Sequence, residues 1–209
     1  SCCPAWSVMA KKLFPEQANS ISMALTPMTL TARLIKHHQP GAKVAFIGPC
    51  AAKKLEAMRR TVRSEVDFVL TFEEMAGIFE ARHIDVNTLK EDPHGVNDAS
   101  ADGRNFAVSG GVAQAVVNVI KEKYPDREIK VANAEGLSEC RKLMMMAKAG
   151  KYNGYLLEGM ACPGGCVAGA GTMQSIKKSS VAVNMYAKQA EHQVATGTHH
   201  VAELDKLVD

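Results

Sequence analysis

LLEGMACPGGCVAGAG, residues 156–171, runs from an apolar stretch into two cysteines four residues apart, with five glycines in sixteen positions. Backbone this rich in glycine can pass close to a bulky object, because it lacks Cβ atoms and reaches conformations closed to other residues. A plain turn does not need so much of it. The apolar run before it predicts a strand, so Cys162 and Cys166 stand at a strand's carboxyl end. In sheets of alternating strands and helices, chemistry gathers there.

Working outward, the same alternation recurs. AKVAFIG (42–48) is a short apolar run that predicts a buried parallel strand. It leads into the alanine-, lysine- and leucine-rich helix of PCAAKKLEAMRR (49–60). VDFVL (66–70) predicts the next strand, and Thr71 with Glu74 predicts a capping box. FAVSGG predicts a strand and glycine turn before the helix VAQAVVNVIKEKY. EIKVAN predicts a strand, and Ser138 opens a helix that stops at Gly150. Earlier, WSVMAKKLF predicts a helix ended by Pro15. PMTLTARLIKHH (27–38) predicts another that buries Met28, Leu30, Leu34 and Ile35. Residues 83–104 lack periodicity and predict a long loop, and a last helix is expected over 179–192. The fold class is therefore α/β: a parallel or mixed sheet with flanking helices, and cysteines at the carboxyl ends of strands.

The chain has 209 residues, 46% hydrophobic and 22% charged, with a net charge of +3. Its lysines and arginines are dispersed, which argues against nucleic acid as a partner. No apolar run reaches the roughly 20 residues that span a bilayer, and no signal peptide is visible. A soluble, cytoplasmic protein is expected. In that setting six cysteines predict metal or redox chemistry rather than disulfides. The chain opens directly on SCCPAW, which predicts a fragment or processed subunit, completed by an upstream part of the same protein or by a partner subunit.

Cys3, Cys50, Cys162 and Cys166 together could hold zinc or an iron–sulfur cluster. Only one pair is close in sequence, which suits a cluster embedded in a domain better than a zinc finger. A Cys2–Cys3 disulfide would be strained. Cys140 falls within a helical pattern and is expected in the core.

SCCPAW, GPCAAKKLE and EGMACPGGCVAGAG resemble, in order, the three signature segments of the catalytic domain of iron-only (FeFe) hydrogenases. The resemblance spans essentially the whole chain, residues 1–209, and covers the carboxyl-terminal part of that domain. It implies the iron-only hydrogenase large-subunit fold and the reversible oxidation of H2 to protons and electrons. It also implies a 4Fe–4S cluster bridged to a two-iron unit that carries carbonyl, cyanide and a bridging dithiolate amine. Cys3, Cys50, Cys162 and Cys166 would be the metal ligands, with Cys166 bridging. Gly164 and Gly165 would let the backbone approach and aim amides at cluster sulfurs. Cys2 matches the family's proton-carrying cysteine, Glu56 its relay glutamate and Ser22 its relay serine. Lys53 matches the lysine that donates to a cyanide. Met160 and Phe106, with Pro49 and Pro27, would form an apolar wall.

Gly48, Ala5, Met28 and Ala170 depart from the commonest family residues and touch the surroundings rather than the ligands. Implied partners are H2 and protons, a ferredoxin-type electron carrier and maturation factors. Without those factors, an isolated fragment is expected to lack the two-iron unit. Two other readings compete: a non-catalytic relative of the same fold, serving iron–sulfur assembly or hydrogen sensing, and a zinc-binding structural module.

Overall fold

A computed structural model describes residues 2–63, 65–90 and 98–204. Its described helices and strands follow the chain in this order: α1 Pro4–Leu13, α2 Pro27–His38, β1 Ala45–Ile47, α3 Ala52–Ala57, β2 Phe68–Leu70 and α4 Phe72–Ala81. Then come α5 Ala101–Asn105, α6 Gly111–Lys123, β3 Lys130–Glu135, α7 Leu137–Lys148, β4 Tyr155–Met160, α8 Ile176–Lys188 and α9 Val201–Leu204.

Two β-α-β units carry the site. β1 pairs in parallel with β2, Ala45 opposite Phe68 and Ile47 opposite Leu70. β3 pairs in parallel with β4, from Lys130 opposite Tyr155 to Glu135 opposite Met160. These are two separate two-stranded sheets rather than one continuous sheet. The expected strand in FAVSGG, which could have linked them, is a turn. Phe106 ends α5, the amides of Val108 and Gly111 bond to the carbonyls of Asn105 and Val108, and Gly110 has φ +87°.

Each sheet has its own packing. α1 lies on α7 through Trp6, Ala10, Phe14, Ile21, Cys140 and Met144, with Ala134 of β3 beneath them. α2 covers the first sheet through Met28 and Ala32, which meet Val62, Val66, Phe46 and Val69. Alternation along a strand then sends Ala45 and Ile47 to the opposite face. Both are exposed there, so β1 is half-covered and not buried as expected. In α2 the buried residues are Met28, Thr29 and Ala32, whereas Leu30 and Leu34 are half-buried and Ile35 is exposed. Thr29 is accommodated because its hydroxyl lies 3.2 Å from that of Thr26.

The Thr71–Glu74 capping box forms as expected. Within 83–104 the described residues form a short 3-10 turn at Val86–Thr88 and helix α5, capped by Ser100; positions 91–97 of that stretch lie outside the described residues. α8 starts earlier than expected because the Ser175 hydroxyl accepts the Lys178 amide. Among the described residues no helix is long and apolar enough to cross a membrane.

Candidate metal centre

Three loops bring the thiols together, and each is placed by main chain. Cys3 is the residue before α1. Its backbone is extended (φ −96°, ψ 106°), its carbonyl accepts the Ser7 amide, and Pro4 occupies the first helical position. Cys50 follows β1 through Gly48 and Pro49, and its carbonyl accepts the Lys53 amide at the start of α3. Cys162 and Cys166 lie beyond β4 in a loop turned by Gly164 (φ +91°) and Gly165 (φ +94°).

Glycine contacts then lock the loops to one another. A Cβ on Gly159 would lie 2.0 Å from Trp6 Nε1, so β4 meets the helix that follows Cys3 in direct contact. A Cβ on Gly169 would lie 2.2 Å from the Pro49 carbonyl oxygen. That same oxygen accepts the Gly171 amide at 3.0 Å. A Cβ on Gly165 would lie 2.6 Å from the Ser109 nitrogen and 2.8 Å from the Ala107 oxygen. These glycines admit close approach of one loop to another. Their amides, however, are engaged within the protein: Gly164 N–H donates to Glu135 Oε2 at 2.9 Å, and Gly165 N–H to the Cys162 carbonyl at 3.0 Å.

The thiols sense one another. Cys166 is pushed up to about 12, first by burial and then by Cys3, Cys50, Cys2 and Cys162. Cys162 is raised by burial, then by Cys3 and Cys50. Cys2 is raised by burial, then by Cys3 and Glu158. A pocket where thiolates repel one another needs positive charge to hold them ionised together. Yet no three of these sulfurs lie within 4.8 Å of one another. A single tetrahedral zinc, with Zn–S bonds of about 2.3 Å, would need them about 3.8 Å apart. Four thiols of this kind are the donor set of a 4Fe–4S cluster. Two buried donors beside the site, Trp6 Nε1 against Gly159 and Ser109 Oγ on the residue that meets Gly165, have no hydrogen-bond partner. Inorganic sulfides accept from such donors.

Around the thiols, Lys53 and Glu56 form a buried pair on α3, with Nζ 2.7 Å from Oε2. Lys53 Nζ also lies 5.9 Å from the Phe46 ring centroid. Ser22 and Glu56 line one groove of about 160 Å³, together with Pro4, Ser7, Thr29 and Arg59. Ser22 is exposed, and its Oγ accepts the Ala24 amide. Met160 is 1% exposed, Pro49 and Phe106 are half-buried, and Pro27 is exposed at the first turn of α2. Cys140 is a fully buried core cysteine whose Sγ donates to the Ala134 and Met160 carbonyls; burial raises it to about 11.

Sequence reasoning missed Glu158. This buried carboxylate on β4 accepts the Gly110 amide on Oε1 and the Ala113 amide on Oε2, each at 2.6 Å. It thereby caps α6, where negative charge meets the positive end of the helix dipole, and it lies close enough to raise Cys2. The available signal was one acidic residue inside an apolar strand.

An α/β scaffold that gathers widely spaced thiols around glycine-rich loops defines a class of iron–sulfur domains. The chain belongs to the family described as iron only hydrogenase large subunit, C-terminal domain, which matches residues 1–170. It is 30% identical to the periplasmic Fe hydrogenase large subunit of Nitratidesulfovibrio vulgaris, over 82% of this chain and 50% of that protein. It is 24% identical to iron hydrogenase 1 of Clostridium pasteurianum, over 99% of this chain and 44% of that protein. It is also 25% identical to the human nuclear prelamin A recognition factor, over 84% of this chain and 48% of that protein. The chain thus spans about half the length of these relatives. Among solved structures, a variant of the FeFe-hydrogenase HydA1 from Chlamydomonas reinhardtii superimposes with a TM-score of 0.77 at 21% identity, covering all of this chain and 71% of that one. Fold and family stand on these matches, and an iron–sulfur cofactor follows at family level.

Proposed function

We propose that this chain is the carboxyl-terminal portion of a catalytic domain that interconverts H2 with protons and electrons. The observation that carries the proposal is that Cys2, Cys3, Cys50 and Cys162 all lie near enough to Cys166 to raise it, with Lys53 of the buried Lys53–Glu56 pair near enough to act on Cys2. Four thiols suffice to hold a 4Fe–4S cluster, and the fifth remains for another task. Cys3, Cys50, Cys162 and Cys166 would hold the cluster, Cys166 also bridging to a two-iron unit. That centre, when bound, would supply the redox chemistry of H2 cleavage.

The protein's own part is proton management and exclusion of water. Cys2 is half-buried, so its thiol would accept and release a proton in a restricted environment. Glu56 and Ser22 would carry it outward along the groove they share. An ammonium has three N–H donors, and Glu56 engages one from Lys53, which leaves the group able to bind a small anionic ligand. Met160, Phe106, Pro49 and Pro27 would limit access of water. Electrons would pass to a ferredoxin-type carrier, and a remaining part of the domain would come from elsewhere in the same protein or from a partner. A cytoplasmic setting is part of the proposal; the relatives include both a periplasmic hydrogenase and a cytosolic Fe-S cluster assembly factor.

The experiment is co-expression of the complete protein with hydrogenase maturation factors. Infrared bands of bound carbonyl and cyanide, together with H2 evolution from a reduced carrier, are the expected result. A reconstituted 4Fe–4S signal with neither bands nor H2 would instead assign the chain to hydrogen sensing or to iron–sulfur assembly, the role named for one of its relatives.

A further inference from the structure

Away from the cysteines, Asp98, His199 and His200 place one ligand atom each within 4.8 Å of the other two. Among the described residues this is the one such trio of His, Cys, Asp or Glu side chains. We propose that it is a second metal site, built for a borderline divalent cation such as zinc(II) and independent of the thiol centre.

The donor set is two imidazoles and one carboxylate, which suits zinc, cobalt and nickel and not calcium or magnesium. A tetrahedral ion with bonds of about 2.0–2.1 Å needs ligand atoms about 3.4 Å apart. His200 Nε2 and Asp98 Oδ2 are already 3.5 Å apart. The remaining gap to His199 requires a small movement of an exposed side chain.

A second feature points to the same ligand. His200 Nδ1 is buried and makes no hydrogen bond, while Glu203 Oε2 stands 3.5 Å from it. Metal-bound histidines characteristically give their other ring N–H to a carboxylate, which fixes the tautomer and aims the free lone pair at the ion. Here Glu203 Oε2 stands 3.5 Å from Nδ1 and Asp98 Oδ2 3.5 Å from Nε2, so a small closure of side chains would complete that arrangement around an ion. Glu203 is itself held from the far side, its Oε2 3.5 Å from His38 Nε2 at the end of α2. The rings of His199 and His200 lie side by side, centroids 3.9 Å apart and planes tilted by 42°, so both imidazoles are presented at one place.

The two backbone segments are also fixed relative to each other. The amides of Ala101 and Asp102 donate to the carbonyls of His192 and Gln193 at 2.8 and 3.1 Å. Arg104 Nε holds the Ala99 carbonyl at 3.0 Å, one residue from Asp98. A bound ion would therefore staple α9 to the entry of α5 and, through Glu203 and His38, to α2. Its role is structural.

The test uses the full-length protein with its iron–sulfur centre reconstituted first, so that the thiols are occupied. Cobalt(II) alone is then titrated, with zinc(II) as competitor. One equivalent of cobalt is expected, showing the visible spectrum of nitrogen and oxygen ligation without a thiolate charge-transfer band, and zinc should displace it. His199→Ala and His200→Ala should each remove that equivalent while circular dichroism stays unchanged. Glu203→Gln should keep the stoichiometry and weaken affinity about 10- to 100-fold, the usual scale for such supporting carboxylates. No cobalt uptake, uptake with a thiolate spectrum, or equal uptake by His200→Ala would each overturn the proposal.

Discussion

Lys53 Nζ lies 2.7 Å from Glu56 Oε2, one turn apart on α3, with the two side chains 9% and 4% exposed. A pair this buried is costly to break from one side, because the survivor keeps its charge without a partner. Glu56→Ala should destabilise the protein by about 3–5 kcal/mol, whereas Lys53→Met/Glu56→Met together should be close to neutral. Urea denaturation of both variants decides this; equal losses would show that packing and not charge pairing governs the site.

Gly165 provides a second test. Its backbone (φ 94°, ψ −160°) lies in a region essentially reserved for glycine, and a Cβ would strike the Ser109 backbone. Gly165→Ala should cost about 1–3 kcal/mol in strain alone and should lower iron retention after reconstitution. Gly154 also has a positive φ, +78°, but open space around it. Gly154→Ala should leave iron content at the wild-type level.

Glu158 caps α6 from another element. Glu158→Ala removes two hydrogen bonds to a charged acceptor and leaves two buried amides unsatisfied, a loss of about 2–4 kcal/mol. Glu158→Gln, which keeps one acceptor, should lose less. Thermal unfolding ranks the three proteins.

Acid should loosen the first sheet through Asp67. Its carboxyl is held well below the usual range by the Val44 amide, then by Lys36 and Lys43. A pKa lower when folded means stabilisation that is complete above the unfolded value, about 3.9, and fades as pH falls through the folded one. Asp67→Asn should therefore be less stable than wild type at neutral pH, and the gap should close toward pH about 2. A constant gap across that range would remove Asp67 from the account.

Cys2→Ala in the matured full-length protein should retain iron yet lose turnover by about 10²–10⁴-fold, the usual contribution of a positioned acid–base group. Cys166→Ala should lose the two-iron unit. Iron analysis beside H2 assays separates the two effects.

Strands β1 to β4 and most helices were legible because each apolar run is bounded by a cap, a glycine or a proline. Thr71 with Glu74 and Pro15 after α1 are examples. The turn at 106–110 was not, since its shape depends on a carboxylate 48 residues away in sequence. The exposed face of β1 was equally hidden, because a run such as AKVAFIG looks the same whether one side or both are covered. That Cys3, Cys50 and Cys162 would lie near Cys166 was readable from motif and spacing. The engagement of the Gly164 and Gly165 amides by Glu135 and Cys162 was not, as it depends on which loop lies nearest after folding.

The clasp between Gly171 and Pro49 joins amide hydrogen to carbonyl oxygen, atoms that every residue but proline possesses in full. The bond itself therefore places no demand on the side chains at its two ends. What the clasp demands is emptiness on either side of it: a methyl group at Gly169 would push into the Pro49 carbonyl oxygen, and one at Gly171 into Thr71 at the head of α4.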